Sequence, residues 1–443
     1  MPNESLQQLV YQGMQAFERG NLNDALSMFE EALELCWDIN SSKDDLANCL
    51  YKIANTLRKL DKPKKAEPFY DLAKSLKTFG FDHDKTLVAL NNLATLYFTE
   101  RQEEKSIAIY EQALMLINTT HCIEKDKRPL YKMRFQNNLA NAYQAIGRFK
   151  EAIDLYNKVC SDRERVLGPN HPNTLNSYDG LANAYNSARL LKEAIELHEK
   201  VLAAREGVLG PDHPDTLNSY NNLAEDYLRY GWKEEAINLY NKVCLDRERV
   251  LGPDHPDTLN SKHNLASAYR SAERITEAID LYEEVLAARE RVLGPDHPNT
   301  LNSYDGLANA YSSARRLQDA IELHEQVLAA RKGVLGLDHP DTLNSQHNLA
   351  EDYLRYEWKE EAIDLYEQVL AARKRVLGPD HPDTLNSQHN LASAYRSAGR
   401  ITEAIDLYEQ VLAARKRVLG PDHPDTLETQ NALIESYLHN KSR

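Results

Sequence analysis

The sequence predicts an all-α protein: an α-solenoid of about ten helical hairpins plus a C-terminal capping helix. Three observations predict it. A loop of the form LGPDHPDTL recurs every 42 residues, marked by His-Pro pairs ending at Pro172, Pro214, Pro256, Pro298, Pro340, Pro382 and Pro424. Two amphipathic helical patterns fill each interval between loops. Small residues and tyrosines return at the same places in every interval. A fixed period of this length marks an array of similar supersecondary units that bury their apolar faces against one another.

The elements follow in order. Residues 1–128 read as divergent helical repeats around Gly13–Ala25–Ala32, Ala54–Ala66 and Ala94–Tyr97–Ala113, at about 40-residue spacing. A polar insert, NTTHCIEKDKRP, separates them from the regular part. Residues 129–426 hold seven 42-residue units. In the unit from Leu217, the first helix places Leu217, Leu223, Ala224 and Tyr227 toward one face. Tyr230, Gly231 and Trp232 form the turn. The second helix carries Ala236, Ile237, Tyr240 and Val243, and Gly252 stops it, as a glycine beyond a helix C-terminus does. The loop also starts the next helix: Asp212 is the expected N-cap, Pro214 lies in the first turn where no N–H is needed, and Asp215 favours the helix dipole. Residues 427–443 form the capping helix, whose HNKSR end is polar enough to close a stack.

Counting Leu217 as position 1, alanine fills position 8 (Ala140, Ala182, Ala224, Ala266, Ala308, Ala350, Ala392) and position 20 (Ala152, Ala194, Ala236, Ala278, Ala320, Ala362, Ala404). Tyrosine fills position 11, from Tyr143 to Tyr395. Small residues let two helices approach and an aromatic ring fills the groove between hairpins. This pattern resembles the tetratricopeptide repeat. Its 42-residue length, (D/N)HP(D/N)TL loop and NNLA helix resemble the kinesin-light-chain type, which implies a right-handed superhelix whose first helices line the concave surface. A second period of 126 residues lies over the first: DGLANAY at 179–185 returns at 305–311, and EDYLRY at 225–230 returns at 351–356. Duplication of a three-repeat block accounts for it.

Composition excludes several function classes. Asp+Glu is 68 against Lys+Arg 53, a net charge of −15, which argues against nucleic-acid or membrane-surface binding, both of which need clustered positive charge. No apolar run is long enough to cross a bilayer, and MPNESLQQLV has neither the basic nor the apolar region of a secretory signal. The five cysteines, Cys36, Cys49, Cys122, Cys160 and Cys244, are odd in number and irregular in spacing, so neither a disulfide framework nor a zinc module is indicated. A reducing, cytoplasmic setting is expected. The histidines of the His-Pro pairs, His171 to His423, form one ladder. Neighbouring helices lie about 8–10 Å apart and zinc ligands about 2 Å from the ion, so one ladder position cannot supply two ligands. Backbone-bonded loop histidines are expected, with no metal and no cofactor. No nucleophile–base set or phosphate-binding motif is present, so no catalysis is expected.

The candidate binding residues are amides. Position 2 is Asn176, Asn218, Asn260, Asn302, Asn344 and Asn386; position 6 includes Asn92, Asn138, Asn222, Asn264, Asn348 and Asn390. They are i,i+4 neighbours on the first helix. Asparagine is a mediocre helix former, so its recurrence there asks for a reason. An amide column can hold a peptide backbone while tolerating many side chains, and the kinesin-light-chain resemblance implies groove asparagines of this kind. A polar ladder linking neighbouring helices is the alternative. Arg229 and Arg355 at position 13, and Arg270 and Arg396 at position 12, suit recognition of acidic groups. Salt bridges, with Glu225 and Glu351 for the first two, are their alternative. Gly180 and Gly306 interrupt the position-6 column, leaving room for a ligand side chain or marking duplicated drift. The expected function is a non-enzymatic protein-interaction scaffold that binds a peptide or partner segment, acidic ones included, in the concave groove. A structural or self-assembling solenoid, with self-association, is the rival. A sensor module of a larger signalling system is the other alternative.

Overall fold

The computed structural model describes residues 2–38, 42–80, 83–119 and 127–441. Cys122 and most of the polar insert lie outside them. The described residues form twenty-one helices and no strand, which pair as ten antiparallel hairpins followed by one helix, Pro424–Lys441. The expected hairpin count is therefore met. The chain forms two compact units, Met1–Ala145 with Glu151–Val166, and Ile146–Lys150 with Leu167–Arg443. In each, a helix packs chiefly on the helices before and after it in sequence.

The second unit shows how the repeat builds itself. Its representative hairpin pairs Pro214–Tyr230 with Lys233–Leu251. The loop works differently from the expectation that Asp212 caps the helix. His213 is the N-cap: its Nδ1 accepts the Asp215 backbone N–H at 3.2 Å. His171, His255, His297, His339, His381 and His423 do the same at 3.1–3.3 Å. An imidazole two residues upstream spans the distance to an orphan N–H, while Asp212 turns outward to pair with Arg249. Gly252 ends the second helix at φ 94°, in the left-handed region where other residues are strained. Thr258 Oγ1 then donates to its carbonyl at 2.9 Å, tying the stop of one repeat to the start of the next.

The core lies between the helices of a hairpin and between hairpins. Ala224 and Ala236 are fully buried and belong to one cluster with Ile237, Tyr240, Leu265 and Ala268. Position 24 carries the large ring: Tyr240, Tyr282, Tyr366 and Tyr408 are at most 2% exposed. Gly306 is explained by that ring. A Cβ there would lie 2.5 Å from Cε1 of Tyr282, so the glycine makes room for a tyrosine of the preceding repeat. At the hairpin turns Trp232 meets Tyr227 and Tyr230 edge-on, and Trp358 repeats this with Tyr353 and Tyr356.

Because positions 8 and 20 are closed on all sides, enlarging them overpacks the hairpin. Ala236→Leu or Ala362→Leu is expected to lower stability by about 1–3 kcal/mol in urea unfolding. No change at either site would mean that the helices are not in this register.

Candidate functional site

One residue absent from the sequence reading organises the polar side of the second unit. Arginine recurs at position 31, on the second helix: Arg205, Arg247, Arg289, Arg331, Arg373 and Arg415, each only 2–6% exposed. Every one makes the same three bonds. Nη1 of Arg247 donates to the Asp257 carbonyl at 3.0 Å and to Ser261 Oγ at 2.6 Å, and Nη2 donates to Asn218 Oδ1 at 2.5 Å. Arg289 binds Asn299, Ser303 and Asn260 alike, and Arg331 binds Asp341, Ser345 and Asn302. Arg205, Arg373 and Arg415 hold Asn176, Asn344 and Asn386 in the same way.

This arrangement fixes the position-2 amides. A guanidinium only donates, so each asparagine must turn its oxygen to the arginine. Its two Nδ2 hydrogens then point away from the arginine, and no side chain among the described residues accepts them. Asn218, Asn260 and Asn302 line an open polar cleft of about 460 Å³, together with Asn221, His263, Asn264, Asp257, Asn299, Arg247 and Arg289. The first helices of three successive repeats thus supply most of its wall.

Three of the position-6 amides also bond to a neighbouring first helix. Asn264 Nδ2 donates to Asn221 Oδ1 of the preceding repeat at 3.1 Å, and Asn390 Nδ2 bonds His347 Nε2 at 2.9 Å. In the first unit Asn138 donates to Asn91 at 2.9 Å. These are links between neighbouring first helices. Asn222 and Asn348 are half-buried at the equivalent places. The four arginines at positions 12 and 13 are not brought into the cleft. Arg229 pairs with Glu225 and Arg355 with Glu351, each at 2.8 Å along its own helix. Arg396 pairs with Glu435 at 2.8 Å, and Arg270 lies against the Tyr282 hydroxyl.

Charge in the cleft is positive and poorly balanced. Burial pushes Arg289 down to about 10 and also lowers Arg247, Arg373 and Arg415. Arg289 has no carboxylate within ion-pair distance among the described residues. Two repeats differ. Arg205 pairs with Asp179 and Arg331 with Asp305, each at 2.5 Å. Those aspartates face His198 and His324, whose Nδ1 atoms lie 2.5 and 2.7 Å from Asp226 and Asp352. The sequence signal was available: where position 24 is histidine instead of tyrosine, position 10 of the next repeat is aspartate instead of alanine. A smaller ring is matched by a larger, charged neighbour.

Position 5 brings three further histidines beside these arginines. His263, His347 and His389 are each pushed down to about 4, first by burial and then by Arg289, Arg373 and Arg415 respectively. Their edges meet the buried Tyr282, Tyr366 and Tyr408 rings. The first unit has its own open cleft of about 670 Å³, whose lining includes Asn91, Asn92, Asn138, Asn141, Lys64, Arg134 and Phe98. No group of three or more metal-ligating side chains is found among the described residues. No helix among them is long and apolar enough to cross a membrane.

Residues 46–116, 131–206, 181–244, 245–291, 261–333, 315–374, 359–417 and 388–439 match the family described as tetratricopeptide repeat. Among solved structures, the chain is similar to a putative kinesin light chain of Podosopora anserina with nearly identical TPR-like repeats. Identity is 35% over 48% of this chain and 99% of that one, with a TM-score of 0.41. BtubC (BKLC) from P. vanneervenii is 20% identical over 54% of this chain and 94% of that one, with a TM-score of 0.44. A Rap protein complexed with competence and sporulation factor is 10% identical over 81% of this chain and all of that one (100%), with a TM-score of 0.47. No curated protein matches the chain.

The three depressed histidines set a pH dependence. The unfolded chain takes up their protons near 6.5, the folded chain only near 4. Their contribution to stability is complete above about 6.5 and is lost as pH falls toward 4, a loss of up to about 3 kcal/mol per histidine. Thermal midpoints across this window should fall for the native chain and fall less steeply for the His263→Gln, His347→Gln, His389→Gln variant. Equal slopes would contradict the assignment.

Proposed function

The chain belongs to the tetratricopeptide-repeat family, and on that premise we propose that it is a non-enzymatic, cytoplasmic interaction scaffold. It holds an extended peptide or partner segment in the polar cleft of the second unit. The observation that carries this reading is the orientation of the position-2 amides. Six buried guanidiniums hold their oxygens, and in the cleft Asn218, Asn260 and Asn302 offer a column of N–H donors beside Arg289, whose charge no carboxylate answers within ion-pair distance among the described residues. A ligand that supplies acceptors complements it: main-chain carbonyls along an extended strand, and carboxylates of acidic side chains. Donors spaced by whole repeats read a backbone and place few demands on side-chain identity. Reaction chemistry has no support here: the residues lining the cleft include no serine, threonine, cysteine or lysine to act as a nucleophile.

A self-assembling solenoid is the second reading, favoured by the last helix. Leu427, Ile434, Tyr437 and Leu438 are 40–64% exposed there. Position 8, alanine in the seven preceding repeats, is Ile434. Light scattering coupled to size exclusion separates the two readings: a concentration-independent monomer supports the scaffold, and concentration-dependent growth supports assembly.

The discriminating variant is Asn218→Asp, Asn260→Asp, Asn302→Asp. Aspartate keeps the oxygen that the buried arginine needs but removes the two donors. Stability should be kept or raised. Binding to acidic peptides on an array should fall by roughly tenfold to a thousandfold, from about 0.5–1.5 kcal/mol per lost contact. The affinity of the native chain for acidic peptides should itself weaken with salt. Undiminished binding by the folded variant would remove the cleft from consideration.

A further inference from the structure

The first unit holds a chemistry that neither the repeat pattern nor the clefts explain. Cys36 lies on the helix Leu22–Asp38 and Cys49 on the helix Lys43–Lys59, the second helix of the first hairpin and the first helix of the second. Their Sγ atoms are 3.7 Å apart. The residues are 2% and 1% exposed. Cys160 and Cys244, the other described cysteines, are buried at equivalent positions of separate repeats.

We propose that Cys36 and Cys49 are an oxidation site, a dithiol that low-molecular-weight disulfides convert into a cross-link between the first two hairpins. The sulfurs are in van der Waals contact at 3.7 Å, and a disulfide bond of about 2.03–2.05 Å requires them to close the remaining gap. The two helices that carry them pack directly on each other. Lys52, one turn beyond Cys49, places its ammonium 2.9 Å from Met14 Sδ and over the Phe29 ring. It is a cation held in the same small core, and cations favour the thiolate, which is the reactive form.

The closed fold restrains the reaction. The bond to Cys36 and burial raise the Cys49 thiol well above its ordinary range. Attack therefore follows local opening of the interface between the two hairpins, after which Lys52 supports ionisation. The Cys49 thiolate attacks one sulfur of oxidised glutathione, forming a mixed disulfide and releasing one glutathione thiolate. The Cys36 thiolate attacks the Cys49 sulfur and releases the second. Two protein thiols are oxidised, their two protons pass to the released thiolates, and one glutathione disulfide becomes two thiols. The new bond closes the loop between the helices, so the first hairpin can no longer part from the second.

The full-length chain in glutathione buffers of graded oxidation tests this. The expected result is a mass lower by two hydrogens, one cross-linked peptide joining Cys36 to Cys49, and alkylation of the remaining cysteines after unfolding. Amide hydrogen exchange in Leu22–Asp38 should slow on oxidation, and Cys49→Ala should abolish the mass change with helicity retained. Glutathione adducts without the cross-link, or an unchanged mass at every ratio, would overturn the proposal. The peptide map of the unsubstituted chain decides it even where the variant folds poorly.

Discussion

The second unit depends on one interaction, the buried guanidinium at position 31. Moving an arginine from water into a protein interior costs several kcal/mol unless its donors are satisfied. Here one side chain reaches three acceptors on two first helices: the amide of its own repeat, and a hydroxyl and a main-chain carbonyl of the next. The carbonyl lies in the first turn of the next helix, so the arginine sets where that helix begins relative to the one before. Position 3 must then be a small hydroxyl and position 2 an amide or another oxygen carrier. Two columns that look like decoration of a helix are acceptors for a charge on a different helix.

The same constraint shapes recognition. An amide whose oxygen is held by an arginine has its nitrogen directed elsewhere, and repetition turns this into a column of donors of one kind. Four arginines, Arg247, Arg289, Arg373 and Arg415, are depressed by burial. Arg205 and Arg331 instead have an aspartate at position 5. The cleft floor is therefore not uniform: its positive charge is answered at two repeats three units apart and unanswered between them. The duplicated block thus repeats a charge pattern as well as a sequence.

Departures from the consensus are compensated locally. Tyrosine at position 24 meets alanine at position 10 of the next repeat. Histidine there meets aspartate, as at His198 with Asp226 and His324 with Asp352. Gly306 yields to the ring of Tyr282. Each swap conserves the filled volume or the charge at one interface and leaves the next undisturbed, as expected of an array in which contacts run between neighbours.

The sequence by itself determined the period, the hairpin count, the turn and stop positions, and the alanine core columns. All of these are written in local pattern: a helix face repeats every three to four residues, and glycine or proline punctuates it. The tyrosines it singled out at position 11 are half-buried, and the buried ring column is position 24. Only the tertiary structure decided which polar groups meet. Arg247 and Asn218 are 29 residues apart, Asn264 and Asn221 are 43, and Cys36 and Cys49 occupy different hairpins. The N-cap lay one residue from its expected place, because an imidazole reaches the N–H that Asp212 leaves. Periodicity says which residues share a face. Which atoms of two faces touch is set by the distance and axial offset of packed helices, and those follow from the fit of side chains along the whole interface.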